Sequence, residues 1–344
     1  MTAKIFSAKP LSLYADRMPK AEPAAAPLPA APAKPATREK AAPAITKAAP
    51  KVVAKPAPKP AQHPAPKTAV PGAKDAPRRA VTALPSGEGG LRLVPIQRLA
   101  QGGRWRVEAM RSYADPVLYW FTRGQGRITV GGITRGYGAH NAIFIPAGAM
   151  HGFEAGPQSY GTALFFGRGE DPDLPREPLH LRIRDAVPQA ELSGILDHIQ
   201  REIDAARPGH DRAARHYLGL LSVWLERHAG AAEAGRSDAY HRLARRYADL
   251  LEHGYRSGQG VAGYARDLGV TPTHLTRVCK KTCGRSASDL LHDRLIFEAR
   301  RLLLETRLPV ARVSEELGFT SPAYFTRAFQ KRTGRTPSAF RKAP

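Results

Sequence analysis

The sequence predicts a multidomain protein with a disordered Pro/Ala/Lys arm, a small all-β barrel followed by two helices, and an all-α domain of two helix-turn-helix units. Three observations carry that expectation. The first is an internal repeat: residues 268–286, LGVTPTHLTRVCKKTCGRS, return some fifty residues later as 317–336, LGFTSPAYFTRAFQKRTGRT, with one residue inserted. Two copies imply two equivalent structural pieces doing related work. The second is charge, which is +23 over 344 residues and unevenly divided. Residues 1–80 carry 15 basic against 4 acidic groups, residues 81–239 carry 18 against 17, and residues 240–344 carry 20 against 9. A basic C-terminal region fits a polyanionic partner, and the near-neutral middle asks for none. The third is a change of pattern near residue 90, from Pro/Ala/Lys repetition to short apolar runs between glycines.

Residues 1–85 contain tracts such as KPAPKPAQHPAPK. Too few large apolar groups stand there to offset the entropy of ordering, so a disordered arm is expected. Its proline-spaced lysines suit a tether that touches nucleic-acid phosphates without reading sequence; a solvated spacer or an over-extended start of translation is the alternative. The two cysteines, Cys279 and Cys283, offer no disulfide framework. No run approaches the roughly 18 apolar residues of a membrane span, and the N-terminus lacks the apolar core of a secretory signal, so a cytoplasmic location is expected. Cys279 takes the place of Phe329 in the second copy, which makes it a small core residue; a redox switch is the alternative.

Within residues 86–185, runs at 105–110, 117–122, 127–130, 142–145 and 163–166 read as strands joined by Gly-rich turns. That spacing suggests a small antiparallel barrel or sandwich. A barrel of this size can enclose one small molecule, and Arg111, Tyr119 and His151 are the candidate polar groups of such a site. All three are equally readable as ordinary structural residues, and His140 reads as a turn residue. Residues 186–230 form two amphipathic helices. Leu192, Ile195, Leu196, Ile199 and Ile203 recur at helical spacing in the first; Tyr217, Leu218, Leu221, Trp224 and Leu225 do so in the second. Pro208-Gly209 separates them. The stripes either pack on the β domain or pair two protomers. Residues 231–239, small and polar, read as a linker.

In residues 240–344 each repeat reads as a turn and a helix. Thr271-Pro272 and Ser321-Pro322 place a hydroxyl at the N-cap and a proline at the first helical position, and Gly284 and Gly334 stop the helices. Leu275, Val278 and Cys279, and in the second copy Phe325, Ala328 and Phe329, share one helical face. Amphipathic segments 261–268 and 310–317 precede the turns, and residues 288–305 supply a long joining helix.

The residues Leu268-Gly269, Leu317-Gly318-Phe319, Leu275-Thr276-Arg277, Phe325-Thr326-Arg327-Ala328-Phe329, Gly334-Arg335-Thr336-Pro337 and Phe340-Arg341 resemble the DNA-binding domain of AraC/XylS-type transcription regulators. The joining helix matches at Arg294, Ala299-Arg300 and Leu303-Leu304. The resemblance implies base- or groove-facing roles for Thr273, Thr276 and Arg277 and for Ala323, Thr326 and Arg327. His274, Lys280, Tyr324, Gln330 and Lys331 lie on the same outward faces. Lys280, Lys281, Lys331, Arg332 and the helix amides near Thr271 and Ser321 are the candidate phosphate contacts. Because the two outward faces differ, the expected site is asymmetric within each protomer.

Gly124-Gln125-Gly126, Ile145-Pro146-Ala147-Gly148 and His151 resemble the cupin-type sensor domain of the same regulators. Metal-binding cupins present several histidines and a carboxylate; residues 111–116 here carry no histidine, and one imidazole cannot hold a metal. No metal and no cofactor are therefore expected. The expected partners are double-stranded promoter DNA, a small-molecule effector, a second protomer and, for an activator, RNA polymerase, on the bacterial nucleoid. A cupin-type enzyme with an accessory DNA-binding end, and a nucleoid protein with little sequence preference, are the competing readings.

Overall fold

The computed structural model of the protein describes residues 90–167, 173–205, 207–230 and 238–342. The arm expected over 1–85, and all but the end of the linker over 231–239, lie outside them. Eight strands come first: β1 (Arg92–Pro95), β2 (Val117–Arg123), β3 (Gly126–Val130), β4 (Ile133–Tyr137), β5 (Asn141–Ile145), β6 (His151–Phe153), β7 (Tyr160–Phe165) and β8 (Leu179–Arg182). They form a five-stranded sheet in the order β1-β7-β2-β5-β8 and a three-stranded sheet in the order β4-β3-β6, with every pairing antiparallel.

The first five residues of β2, Val-Leu-Tyr-Trp-Phe, are all buried because the larger sheet is covered on both faces. Side chains alternate across a strand. Leu118, Trp120, Phe144, Leu164 and Phe166 therefore pack with the helices α3 (Ala186–Ala205) and α4 (His210–Ala229). Val117, Tyr119, Phe121, Ile143 and Phe165 pack instead with Ile128 and Phe153 of the smaller sheet. The apolar stripes of α3 and α4 belong to the first of these cores, so they pack on the sheet. On the outer side Leu220 and Val223 remain exposed.

Two expectations need correction. The β domain is two facing sheets and not a closed barrel. On β6 the neighbouring segment makes only an isolated bridge, Arg111 to His151, before the chain turns away. A Cβ on Gly152 would fall 2.8 Å from the carbonyl oxygen of Glu108, so that flank is filled by the segment before Arg111 rather than by a further strand. Residues 105–110 are also not a strand: two short helices, α1 (Ile96–Leu99) and α2 (Trp105–Glu108), precede β2. Gly102 and Gly103, at φ 85° and 128°, turn the chain. An Arg104–Glu108 ion pair of 2.7 Å then spans one helical turn, a spacing that alternation along a strand would not bring together.

The remaining helices are α5 (Ala239–Gly254), followed by a 3-10 turn over Tyr255–Ser257, then α6 (Val261–Asp267), α7 (Pro272–Cys283), α8 (Ala287–Glu305), α9 (Val310–Glu316), α10 (Pro322–Thr333) and α11 (Pro337–Lys342). One core holds them, running from Tyr247 and Leu251 through Leu275, Cys279 and Leu303 to Phe325, Phe329 and Phe340. Met110 and Met150 of the β domain enter the same core. Among the described residues no helix is long and apolar enough to cross a membrane.

Candidate nucleic-acid interface

Each turn-helix unit is fixed by short-range chemistry. The Thr271 hydroxyl accepts the His274 amide and the Ser321 hydroxyl accepts the Tyr324 amide, both at 3.2 Å. Pro272 and Pro322 open the helices, and Gly284 and Gly334 close them in the left-handed conformation at φ 70° and 73°. The inserted residue lies in the second turn. Gly269 stands two residues before its N-cap and Gly318 stands three before its own, yet both hold φ near 70°. Between the units, α8 begins on a capping box, in which Ser286 and Asp289 satisfy each other's amides.

Buried charge braces this frame. Glu252 of α5 receives the Arg294 guanidinium through two bonds of 2.7 and 2.8 Å. Glu298, only 3% exposed, is met by Arg256, Arg294 and Arg301. Burial alone would raise the Glu298 carboxyl, but the Arg301 hydrogen bond and the three guanidinium charges outweigh it and hold the group below its ordinary value. Cys279 and Cys283 are buried free thiols in the core. Burial first, then the neighbouring Cys283, pushes Cys279 up to about 12.

The predicted site residues divide by position. On α7, Thr273, Arg277, Lys280 and Lys281 are exposed and His274 and Thr276 are half-buried; on α10, Ala323, Tyr324, Arg327, Gln330 and Lys331 are exposed, and Ser321 and Thr326 are half-buried. Thr276 and Tyr324 both line one groove of about 450 Å³, together with Ser288 and His292 of α8, so α7 and α10 contribute to a common groove. Some groups are already engaged. The Lys281 ammonium sits 3.8 Å from the ring centre of Tyr240, Arg332 pairs with Asp289 at 3.1 Å, and the Thr326 hydroxyl donates to the Pro322 carbonyl at 2.9 Å. Arg277, Arg327, Lys280 and Lys331 form no ion pair with any described residue.

Arg111, Tyr119 and His151 do meet, deep in the β domain. Arg111 donates to the Tyr113 hydroxyl at 2.8 Å and the Val107 carbonyl at 2.6 Å, and reaches the Tyr119 hydroxyl at 3.4 Å. The Tyr119 hydroxyl lies 3.3 Å from Nε2 of His151. Burial first, and then the Arg111 charge, drop His151 to about 3, so the ring is neutral at ordinary pH. All three side chains are at most 1% exposed, and none of them lines the groove between α7 and α10. A cavity of about 350 Å³ opens elsewhere, lined by Ile128, Ile133, Arg135, Leu179, Arg245 and Asp249 among others and by none of these three. Sequence reading missed its lining residues, because its walls come from segments far apart in the chain. Among the described residues no cluster of His, Cys, Asp or Glu is arranged to hold a metal.

Two capped turn-helix units on one core, with their second helices facing a shared groove, define a helix-turn-helix DNA-binding domain. Residues 264–343 match the family described as "Helix-turn-helix domain", and this C-terminal domain is of the AraC type. The chain is 34% identical over 92 residues to the arabinose operon regulatory protein of Escherichia coli, covering 27% of this chain and 32% of that protein. It is 30% identical over 101 residues to the virulence regulon transcriptional activator VirF of Yersinia enterocolitica, covering 29% of this chain and 37% of that one. The match thus spans about a third of the length of these relatives. Among solved structures, the C-terminal domain of AraT, a response regulator from Geobacillus stearothermophilus, aligns at 29% identity and a TM-score of 0.29, covering 32% of this chain and 89% of that domain.

Proposed function

We propose that the protein is a transcription regulator that reads two successive major grooves of promoter DNA with α7 and α10, under the control of a small-molecule effector. The observation that carries this reading is the shared face of the two helices: Thr276 and Tyr324 border one groove, and α8 is the strut between the units. Successive major grooves on one side of B-DNA lie about 34 Å apart, a geometry that two rigidly joined helix-turn-helix units can match. Arg277 and Arg327 would read guanine edges, the threonine methyls and Ala323 would meet thymine, and Lys280 and Lys331 would hold phosphates. The matched relatives are named as an operon regulator and a transcriptional activator, which supports the same reading here. A second protomer and, for an activator, RNA polymerase complete the partners. No catalytic step is assigned to any residue, and the site of action would be the cytoplasmic nucleoid.

Selection of bound sequences from a random DNA pool tests the reading. An enriched motif with two unlike halves about one helical turn apart is expected. A pool that enriches nothing would overturn it.

A further inference from the structure

The 450 Å³ groove that α7 and α10 share has a chemistry of its own. No acidic side chain among the described residues lines it. Its apolar lining comes from Leu291 and Leu295 of α8 and from Phe319 in the turn before α10, and its polar lining includes the hydroxyls of Thr276, Thr320 and Tyr324. The helices on which it lies carry Arg277, Lys280, Arg327 and Lys331, all exposed. An acid-free groove among such cations favours an anionic occupant.

Most threonine hydroxyls on these helices are already used. Thr282, Thr326 and Thr333 each donate to the carbonyl four residues earlier, at 3.1, 2.9 and 2.8 Å. Thr276, Thr320 and Tyr324 differ: their hydroxyls make no hydrogen bond with any described residue. Two of them are also held in place. The Tyr324 ring rests 5.8 Å from the ring of Phe319, and the turn carrying Thr320 is anchored at Gly318, whose backbone packs on that of Gly258. Fixed, unengaged hydroxyls beside apolar side chains match a sugar–phosphate strand, which alternates anionic oxygens with the C–H faces of its sugars.

Successive major grooves on one side of B-DNA are separated by a minor groove, edged by the two sugar–phosphate strands. Whatever lies between α7 and α10 meets that edge. We propose that the groove between the two units is a third DNA contact: it seats one of these strands, with the Thr320 and Tyr324 hydroxyls donating to phosphate oxygens and the sugars lying on Leu291, Leu295 and Phe319. The contact rests on the two-groove reading above and deepens it. It reads no base, and it fixes where the duplex crosses the protein between the two halves of the site.

Anisotropy titration of the full chain with selected duplex DNA over a salt series tests the contact. Thr320→Val and Tyr324→Phe remove one hydroxyl each from exposed positions, so the melting curve should stay unchanged. Each should weaken binding about three- to tenfold on every selected sequence, the cost of a lost hydrogen bond to a charged group. The slope of log affinity against log salt should hold, whereas Lys280→Ala should lower it by about 0.9. On the DNA side, methylphosphonates are placed one at a time between the two halves of the motif. At one or two positions they should weaken the unaltered chain and cost the Thr320→Val/Tyr324→Phe double variant nothing further. The proposal is overturned by a double variant that binds like the parent, by losses confined to certain base sequences, or by methylphosphonates that act equally on both chains. A chain that enriches a two-part motif but shows no such coupling loses this contact and keeps the regulator reading. Should the pool enrich nothing, the same variants on unselected duplex still read the contact: weaker binding keeps it, and unchanged binding removes it.

Discussion

Arg277 and Arg327 occupy one slot in both repeats, exposed and without an ion pair to any described residue, whereas Arg294 and Arg300 of the joining helix are turned inward. The same residue type thus serves two ends. If Arg277 reads a base, Arg277→Ala should cost about 1–3 kcal/mol of DNA affinity and relax preference at one or two positions of the selected motif. Equal weakening on every sequence would make it a phosphate contact instead. Glu298 gives a stability prediction. Its folded pKa lies below its ordinary 4.5, so its contribution is complete above that value and is lost as pH falls through the folded pKa. Glu298→Ala should destabilise by about 3 kcal/mol at pH 7, because it strips a partner from a buried guanidinium. In urea melts the gap to the parent protein should narrow at pH 3; a gap of constant size would refute the assignment.

At the scale of elements, the two turns that look alike in sequence stand in different surroundings. Nothing approaches within 4 Å of a Cβ built on Gly269, whereas one on Gly318 would strike the Arg256 carbonyl oxygen and the Gly258 amide nitrogen. Gly258, at φ 76°, returns the contact, its own Cβ position lying 2.7 Å from the Gly318 carbonyl oxygen. Backbone therefore packs on backbone where the approach to the first unit meets the turn of the second. Gly269→Ala should cost about 1–2 kcal/mol for the left-handed conformation alone. Gly318→Ala should cost about 3 kcal/mol or more, with overpacking added; equal losses in denaturant melts would count against this contact. The caps, the terminating glycines and the helices α7 and α10 were legible in sequence because each depends on residues within one turn of itself. Strands β2, β3, β5 and β7 were legible as apolar runs. β4 and β6 were not, since ITRGY and HGF each hold a glycine and too few apolar residues to mark a period. Residues 105–110 resemble a strand in sequence because Trp105 and Val107 alternate with polar neighbours, while the Arg104–Glu108 pair marks the helical turn of α2.

Across the whole described molecule, the β domain is tied to the helices through Met110 and Met150, which enter the core of α5–α11, and through Trp105, which packs against it. Trp105 sets its ring edge-on to Phe297 and Phe340, with centres 5.9 and 6.1 Å apart, under the Arg300 guanidinium. The Met110 amide donates to Asp293 of α8 at 2.8 Å, and the Ser112 hydroxyl donates to Glu252 of α5 at 2.6 Å. These contacts predict a joint unfolding event. Trp105→Ala should lower stability by about 3 kcal/mol and split one calorimetric transition into two; a single transition merely shifted to lower temperature would show the coupling to lie elsewhere. The sequence by itself determined the two capped turn-helix segments and the exposure of Arg277, Lys280, Arg327 and Lys331, because caps and helical periodicity are set within a few neighbours along the chain. Only the tertiary structure decided that Arg111, Tyr119 and His151 close into a packed core, and that the open cavity lies where β4 meets α5. Arg135 and Arg245 stand on different elements far apart in the chain, and nothing in local spacing brings them to one cleft; the packing of a sheet against a helix does.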